Sequence, residues 1–550
     1  MDPVIVIGAG PVGLALALAL ARYAVPSVVL DSSDGTVHRR AARTCLLRPD
    51  TAALLPRLGG SSLRGWRTER RSQCVRRVEL ADEAAPLHVT QHDLMDALHA
   101  ALDAEGLTRV VPHSRLRSLE QDAEGVTAHL RYAEPSGPTG AAEPPGTAPP
   151  PVAEWRGSYL VGCDGARSMV RKCLGIRFTG RTSVERHAVA TVRTRLPWSE
   201  EALLHREPGG VTGEVRALPL PGQRWRLDWL LPPRGELVTP ERLVSLTQET
   251  LSAWWQGDES ATPPAYELLD TGVHTAHQRL ARRWRHKRAF LAGDAAHLVG
   301  ALGVQGTDEG LRDATNLAWK LALAWHHQHT ESADTLLDSY ESERRAAVGA
   351  RLRAVDQTLP LVRRGDGVRS LLPGKGARTQ LGLLLDSHLG RGLLGAPPGY
   401  GRSPLTPQRA MRSVVPVETP QGGVVQDVPV TNLRGEGCRL WQHLGRQRGA
   451  LTALLVAPGT GVWESRHWLS AGLMPALARA VSTLPLRTEL LVTENYPGAA
   501  AHTVLLIRPD GHLVTALPGT QEADLQACVE FLWRGASDQG QDASEARSLP

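Results

Sequence analysis

Apolar and polar positions along this chain switch between two periods, and the switches mark its elements. Val4-Ile5-Val6-Ile7 is an unbroken apolar run of the kind a strand covered on both faces requires, and Leu14 to Arg22 continues as a buried helix. Ser27 to Leu30 is a second apolar run, ending at Asp31. Pro49 starts a Leu-rich helix that the pattern carries to Leu58, and Gln91 opens another with Leu94, Leu98 and Leu102 on one face. Strand-like runs at Val126 to Tyr132 and Trp155 to Val161 flank a Pro-, Gly- and Ala-rich segment, Pro135 to Pro151, which reads as a surface loop inserted in a hairpin. From Thr179 to about His277 the period is two. Trp225, Leu227 and Trp229 alternate with Arg224, Arg226 and Asp228, so an antiparallel sheet with one covered face is expected. Ala289 to Ala292 is a further buried strand. A loop with Gly300, Gly303 and Gly306 follows it, and then a helix carrying Leu311, Ala314, Leu317, Ala318, Leu321 and Ala322 at helical spacing.

The junctions between these elements carry the candidate chemistry. Between the first strand and helix stands Gly8-Ala9-Gly10-Pro11-Val12-Gly13, a fingerprint whose glycines allow a tight turn, close approach of a pyrophosphate and helix–strand packing. Asp31 lies 18 residues beyond Gly13, where a ribose-binding carboxylate should stand. Gly390 to Gly395 also fits G-x-G-x-x-G, but Pro397 and Pro398 bar a helix start, so it reads as a loop. An enzyme using two dinucleotides would therefore hold one of them by other means. Asp164-Gly165 is a turn, and Ser168 with Arg167 and Arg171 can bind phosphate or cap a helix. Arg40, Arg43 and Arg48 suit a pyrophosphate. Gly293-Asp294 puts a carboxylate at a strand's carboxyl edge, where open α/β sheets bind ligands, and the helix start near Gly306 suits an anion or a ring that becomes anionic. Asp308 caps that start, and its charge has to face away from such a ring. His297 is a candidate proton relay, although a structural role is preferred because the sequence supplies no partner for it.

Composition narrows the classes. A chain of 550 residues holds two to four domains and can enclose a cofactor. A net charge of +5 with scattered arginines gives no nucleic-acid stripe, and the cluster Arg282, Arg283, Arg285, Lys287 and Arg288 reads as a solvated face. The six cysteines show no CxxC and no metal-ligand spacing, so no metal is expected and a reducing cytoplasm is the compartment implied. The apolar amino terminus is broken by three glycines and Pro11 and lacks a basic flank, unlike a signal peptide. No run of about 20 apolar residues suggests a membrane span.

GAGPVG at 8–13, GCDGARSMVR at 162–171, and LAGDAAH with GVQGTDEGLRDATNLAWKL within 291–321 occur in this order, and together they resemble the class A flavoprotein monooxygenases, the para-hydroxybenzoate and phenol hydroxylase family. LLDSYESERR at 336–345 is similar to the helix after that family's flavin motif. The resemblance implies an α/β fold. A Rossmann-like FAD domain of the GR2 type at 1–178 and 278–365 is interrupted by a substrate-binding antiparallel β-sheet domain at 179–277. A linker at 366–415 leads to a thioredoxin-like α/β C-terminal domain at 416–536, and a polar, disordered tail at 537–550 ends the chain. Without CxxC, that domain is read as packing or dimer support.

Carried over by motif, Gly8, Gly10, Pro11, Val12, Gly13 and Asp31 would hold the adenosine half of FAD, with Arg43 and Gln91 as flavin contacts. Gly293 and Asp294 would meet the ribityl chain, and Gly303, Gln305, Gly306, Thr307 and Asp308 the isoalloxazine. Asp164, Gly165, Arg167, Ser168 and Arg171 would serve both FAD and NADPH or NADH. Trp225, Trp229, Gly300, Ala301 and Leu302 are candidates for the substrate pocket. The chain departs from the family at Gly300-Ala301, where Pro-Pro is usual, and at Thr307-Asp308, where Met-Asn is common. The activity implied is hydroxylation of a phenolic or polyketide-like aromatic with O2 through a flavin C4a-hydroperoxide. The alternatives are Baeyer–Villiger or epoxidising chemistry, or a non-catalytic flavin-binding scaffold.

Overall fold

A computed structural model describes the chain apart from residues 36–38, 71–72, 133–151, 197, 199–200, 207–212, 233–237, 256–264, 300–305, 328–330, 364–396, 407–413, 449–450, 459–472, 520–521 and 535–550. The expected 135–151 loop, the 390–395 loop and the 537–550 tail fall outside the described residues. The first sheet has β1 (Val4–Ile7) near its centre, between Tyr159–Gly162 and β2 (Ser27–Leu30), with Ala289–Leu291 and Thr108–Val111 further out. These strands pair in parallel. Their continuous apolar character follows from burial on both faces: α1 (Pro11–Arg22) and the helices Gln91–Glu105 and Gly306–His326 share one core with them. Thr90 caps the Gln91–Glu105 helix by accepting the Asp93 N–H.

Two expectations change here. The helix at Pro49 ends at Ala53 rather than Leu58, because Pro56 disfavours helical backbone at Leu55. The apolar run at 155–161 divides at Ser158. Val152–Gly157 pairs antiparallel with Val126–Tyr132, whereas Tyr159–Gly162 joins β1 in the parallel sheet.

The second sheet has eight strands. It reaches beyond 179–277, because Gly65–Arg70 and Gln73–Glu79 extend one edge and His297–Val299 closes the other. Edge backbone groups need partners, which segments of the nucleotide-binding unit supply. The alternating pattern behaves as expected. Trp225, Leu227 and Trp229 join Ala188, Ala190 and Val192 in a core beneath the helix Pro240–Trp255, which contributes Leu243, Leu246, Leu251 and Trp254.

The C-terminal unit is thioredoxin-like. Leu451–Val456 and Thr488–Thr493 are parallel, with the helix Leu473–Ser482 between them in sequence; an antiparallel pair, Thr503–Ile507 and Leu513–Pro518, precedes the helix Glu522–Arg534. None of the six cysteines forms a disulfide, and burial pushes the Cys45 and Cys528 thiols up to about 12, which suits packing rather than thiol chemistry. Part of the expected linker is packed: Tyr400 and Leu405 are buried, and Ser403 Oγ donates to Glu343 Oε1 at 2.5 Å. The unit docks through an apolar core shared with Trp319 and Leu336, and through charge. Arg508 donates to both Glu343 oxygens at 2.7 and 2.9 Å, and Lys320 Nζ reaches Glu343 at 2.7 Å. No helix among the described residues is long and apolar enough to cross a membrane.

Candidate functional site

Three neighbouring parallel strands, β1, Tyr159–Gly162 and Ala289–Leu291, deliver their carboxyl-terminal loops to one edge of the sheet. Gly8, at φ 108°, lies so close to the next loop that a Cβ would sit 2.5 Å from the Cys163 carbonyl oxygen, and one at Gly13 would sit 2.0 Å from the Gly8 oxygen. At Gly10 nothing lies within 4 Å, so this glycine faces open space. A Cβ at Gly293 or Gly310 would meet Val12 Cγ2 at 3.0 or 2.5 Å, so the fingerprint, the 293–294 turn and the 306–326 helix interlock around Val12. Pro11 occupies the first turn of α1 with no acid beside it, and the first intrahelical bond is Leu14 N–H to the Gly10 carbonyl. The Val12 and Gly13 N–H groups thus lack helical acceptors and suit an anion.

Polar groups border the same edge. Asp31 Oδ2 accepts the Ala9 N–H at 2.6 Å and Oδ1 accepts that of Ser33 at 2.7 Å, which ties the carboxylate to the fingerprint. Asp164 Oδ2 accepts the N–H groups of Met169 and Val170, while its Oδ1 is buried with no hydrogen-bond partner. Arg43 is exposed, and its carbonyl accepts the Gln91 N–H at 2.8 Å, so these two expected contacts are adjacent. Asp294 keeps solvent-accessible surface but sits in a recess dense with protein, and this desolvation pushes its carboxyl above the usual range, against a smaller opposite effect of His297.

Within the Asp164–Arg171 motif the roles divide. Gly165 takes φ 73°, and Ser168 is buried and accepts the Arg171 N–H at 3.0 Å. The Arg171 guanidinium donates to the carbonyls of Ala295 at 2.8 Å and Ala166 at 2.9 Å and lies 3.9 Å over the Phe178 ring. Arg171 is therefore a clasp between two loops rather than a phosphate ligand. Arg167 is exposed at the motif's surface.

The start of the 306–326 helix is held by buried charge that sequence reasoning missed. Asp308 accepts the Arg48 N–H at 3.0 Å and pairs with the Arg48 and Arg312 guanidiniums at 3.1 and 3.3 Å. Glu309 pairs with Arg48, Arg344 and Arg351, and Arg312 also binds Asp50. Burial would raise the Glu309 pKa, but the Arg351, Arg344 and Arg48 guanidiniums hold it well below the carboxylate range. Arg48 is thus committed to this cluster and not to a pyrophosphate. His297 is fully buried; its Nε2 lies 2.7 Å from Asp313 Oδ2, its ring stacks on Trp284, and Asp313 also accepts the Gly293 N–H and pairs with Arg344. His297 thus has no exposed atom and a buried carboxylate as partner, which suits the preferred structural role, while its Nδ1 is buried without a hydrogen-bond partner. The i,i+4 spacing of Asp308 and Arg312 was visible in the sequence, but their partners lie more than 200 positions away. Gly306 and Thr307 open the helix, whereas Gly300, Ala301, Leu302, Gly303 and Gln305 lie outside the described residues.

The substrate-pocket tryptophans need correction. Trp229 is shut beneath the 240–255 helix, its Nε1–H donating to Thr250 Oγ1 at 2.9 Å. Trp225 packs in the same core and only borders a cavity of about 1070 Å3 beside the 221–223 turn. The period of two turns both indoles away from the nucleotide-binding unit. The opposite sheet face meets that unit: Arg226 donates to the Ala42 carbonyl and Thr44 Oγ1, and Asp270 accepts from Ala42 N–H and Arg40. On this face His187 Nδ1 lies 2.7 Å from Asp228 Oδ1 and the His187 and His274 rings stack at 5.1 Å. The ligand atoms of these three lie within 4.8 Å of one another, but Arg226 already meets Asp228 Oδ2 at 3.2 Å.

Comparison with known proteins identifies the family. The family model described as FAD binding domain matches residues 1–355. A 3-(3-hydroxy-phenyl)propionate/3-hydroxycinnamic acid hydroxylase of Comamonas testosteroni is 30% identical over 360 residues, which is 62% of this chain and 55% of that protein. One from Mycobacterium avium (strain 104) is 30% identical over 67% of this chain and 63% of its own length. The matches thus span little more than half of these curated relatives. Among solved structures, the flavin-dependent monooxygenase PieE in complex with FAD and substrate superposes with a TM-score of 0.71 at 19% identity, covering 96% of this chain and 98% of that one. Aklavinone-11 hydroxylase with FAD and aklavinone gives 0.69 at 22%, covering 97% and 99%.

Proposed function

Because the chain belongs to the FAD binding domain family, we propose that it is an FAD- and NAD(P)H-dependent monooxygenase that hydroxylates a phenolic or polyketide-like aromatic compound with O2. The observation that carries the proposal is the meeting of three loops at one sheet edge, where the Gly10 position opens to space and Asp164 Oδ1 is a buried acceptor without a partner. Such an acceptor fits a ligand hydroxyl or N–H. Gly8, Gly10 and Gly13 with the free N–H groups of α1 would hold the pyrophosphate, Asp31 the ribose, and Asp164 and Asp294 the polar chain toward the ring. Arg43 and Gln91 flank this path. Arg167 is the exposed cation for a nicotinamide dinucleotide's phosphate.

FAD, when bound, supplies acceptance of hydride from the nicotinamide and activation of oxygen. The chain's own residues set the electrostatics around it. Asp308, which could oppose negative charge on a reduced ring, is matched by Arg48 and Arg312, and the N–H groups of the 306–326 helix remain to favour an anion. The sheet face carrying His187, Asp228, His274 and Arg226 is the polar surface proposed to orient a phenol. The names of the curated relatives, hydroxylases of hydroxyphenyl acids, support that substrate class.

The test combines NADPH consumption with product mass. Purified protein should be yellow, should oxidise NADPH faster when a phenolic substrate is present, and should place one atom from 18O2 in an aromatic product. Yellow protein that is inert to NADPH with every phenol tried would support the scaffold alternative. Label found in an ester or epoxide would move the chemistry to Baeyer–Villiger or epoxidising oxygenation.

A further inference from the structure

A cavity of about 360 Å3 lies between the nucleotide-binding and C-terminal units, lined by none of the residues that form the three-loop edge. One wall is Tyr23, at the end of α1, with Trp319 and Leu323 of the 306–326 helix; the other is Leu451, Pro485 and Leu486 of the C-terminal unit. Its volume is that of a small-molecule pocket. The walls are apolar, but the rim is cationic: Arg22, Arg448 and Arg487 line it with two histidines, and among the described residues no Asp or Glu does. Arg448 and Arg487 each have a carboxylate partner set back from the lining, Glu105 and Glu489. Arg22 donates its Nη1 to the backbone carbonyls of Gly445 at 2.6 Å and Leu54 at 3.3 Å and shares the field of Glu105 with Arg448, so three guanidiniums face two carboxylates. In the wall, Trp319 is 2% exposed and its Nε1–H has no hydrogen-bond partner.

We propose that this cavity is a second ligand site, specific for a small amphipathic organic anion. An aromatic or aliphatic body fills the space between Trp319 and Leu486, and a carboxylate or sulfonate meets the guanidinium rim. The charge pattern selects the ligand class: a neutral apolar molecule gains nothing from the rim, and a cation is disfavoured where three guanidiniums outnumber the two carboxylates behind them.

The probe is 1-anilinonaphthalene-8-sulfonate, titrated into the full chain with excess FAD so that the cofactor edge is filled. Saturable fluorescence with one probe per chain is expected. Leu323→Trp, which fills the cavity, should weaken binding at least about tenfold by overpacking. Arg487→Glu, at an exposed rim position that the fold does not need, should weaken it roughly three- to fivefold, and added salt should act in the same direction. The neutral N-phenyl-1-naphthylamine should bind more weakly than the sulfonate. Unchanged titration in Leu323→Trp places the probe elsewhere and overturns the site. Unchanged titration in Arg487→Glu, or equal binding of the neutral analogue, overturns its anion specificity. None of these readouts depends on turnover, so the site stands or falls separately from the proposed hydroxylation.

Discussion

Replacing Arg508 by Met would expose how the C-terminal unit is held. Its guanidinium makes paired bonds to Glu343 at 2.7 and 2.9 Å, reaches Asp510 at 3.0 Å, and lies 5.0 Å over the Trp319 ring. Without it, Glu343 and Asp510 remain buried carboxylates with Lys320 as the only cation among the described residues bonded to Glu343 and with Asn316 and His512 beside Asp510. Burial alone would raise both pKa values, but Arg508, chiefly, holds Glu343 below the usual range and Asp510 well below it. Breaking a buried pair in this way costs about 3–5 kcal/mol. The assay is urea unfolding by tryptophan fluorescence with flavin release followed in parallel, and Arg508→Lys as the charge-keeping control. The pH dependence has a definite sign. Depressed carboxyl pKa values contribute stability that is full above their unfolded values, about 4, and is lost as pH falls below them. The difference between wild type and Arg508→Met should therefore be largest near neutrality and shrink on acidification below about pH 4. A loss under about 1 kcal/mol at neutral pH, the size of a surface pair, would refute the reasoning.

Asp294→Ala should weaken FAD retention by about 1.5–3 kcal/mol, or roughly ten- to a hundredfold, through loss of a hydrogen-bonding carboxyl that leaves its partner unsatisfied; unchanged flavin content after gel filtration would count against the assignment. Gly13→Ala puts a Cβ 2.0 Å from the Gly8 carbonyl oxygen and should yield colourless protein, read from the ratio of visible to ultraviolet absorbance. Asp308→Asn keeps an acceptor for the Arg48 N–H but strips a charge from Arg48 and Arg312. It should cost about 1–3 kcal/mol in urea unfolding, and a neutral or stabilising effect would show the ion pairs to be dispensable.

The parts of the fold that read directly from the sequence are those set by local rules. β1, the fingerprint and α1 follow from an apolar run, three glycines and Pro11, and the sheet core follows from a period of two at Trp225, Leu227 and Trp229. The same period allows two faces and does not say which one meets the nucleotide-binding unit. That choice rests on Arg226 and Asp270 bonding the 42–44 segment, a contact across more than 180 positions. The recruitment of Gly65–Arg70 into the sheet was hidden for a similar reason, since its partner Glu201–Arg206 pairs with it in parallel and no hairpin turn announces it. Arg171 and Arg48 look like phosphate ligands in one dimension. Burial converts them into clasps, because a buried guanidinium must spend its donors on nearby carbonyls and carboxylates.

The departure at Thr307-Asp308 illustrates how a local oddity is settled by distant residues. A carboxylate at this helix start would oppose an anionic ring if it stood alone, yet Arg48, Arg312, Arg344 and Arg351 face Asp50, Asp308, Glu309 and Asp313, and the cluster is balanced. Neutrality keeps the N–H groups of the helix as the dominant field. The balance does not stop at this cluster. Arg344 bonds Asp313, which accepts the Gly293 N–H beside Asp294, while the preceding residue, Glu343, bonds Arg508 of the C-terminal unit. Both sit in the π-helical turn Glu341–Arg345, so one short segment clamps the Gly293–Asp294 loop on one side and the thioredoxin-like unit on the other. A buried ion pair is a weak source of stability compared with apolar packing, but it fixes geometry, since each partner tolerates few alternatives. On this view the C-terminal unit sets the register of the turn that carries Asp294, and for that reason flavin release belongs in the Arg508→Met assay beside unfolding.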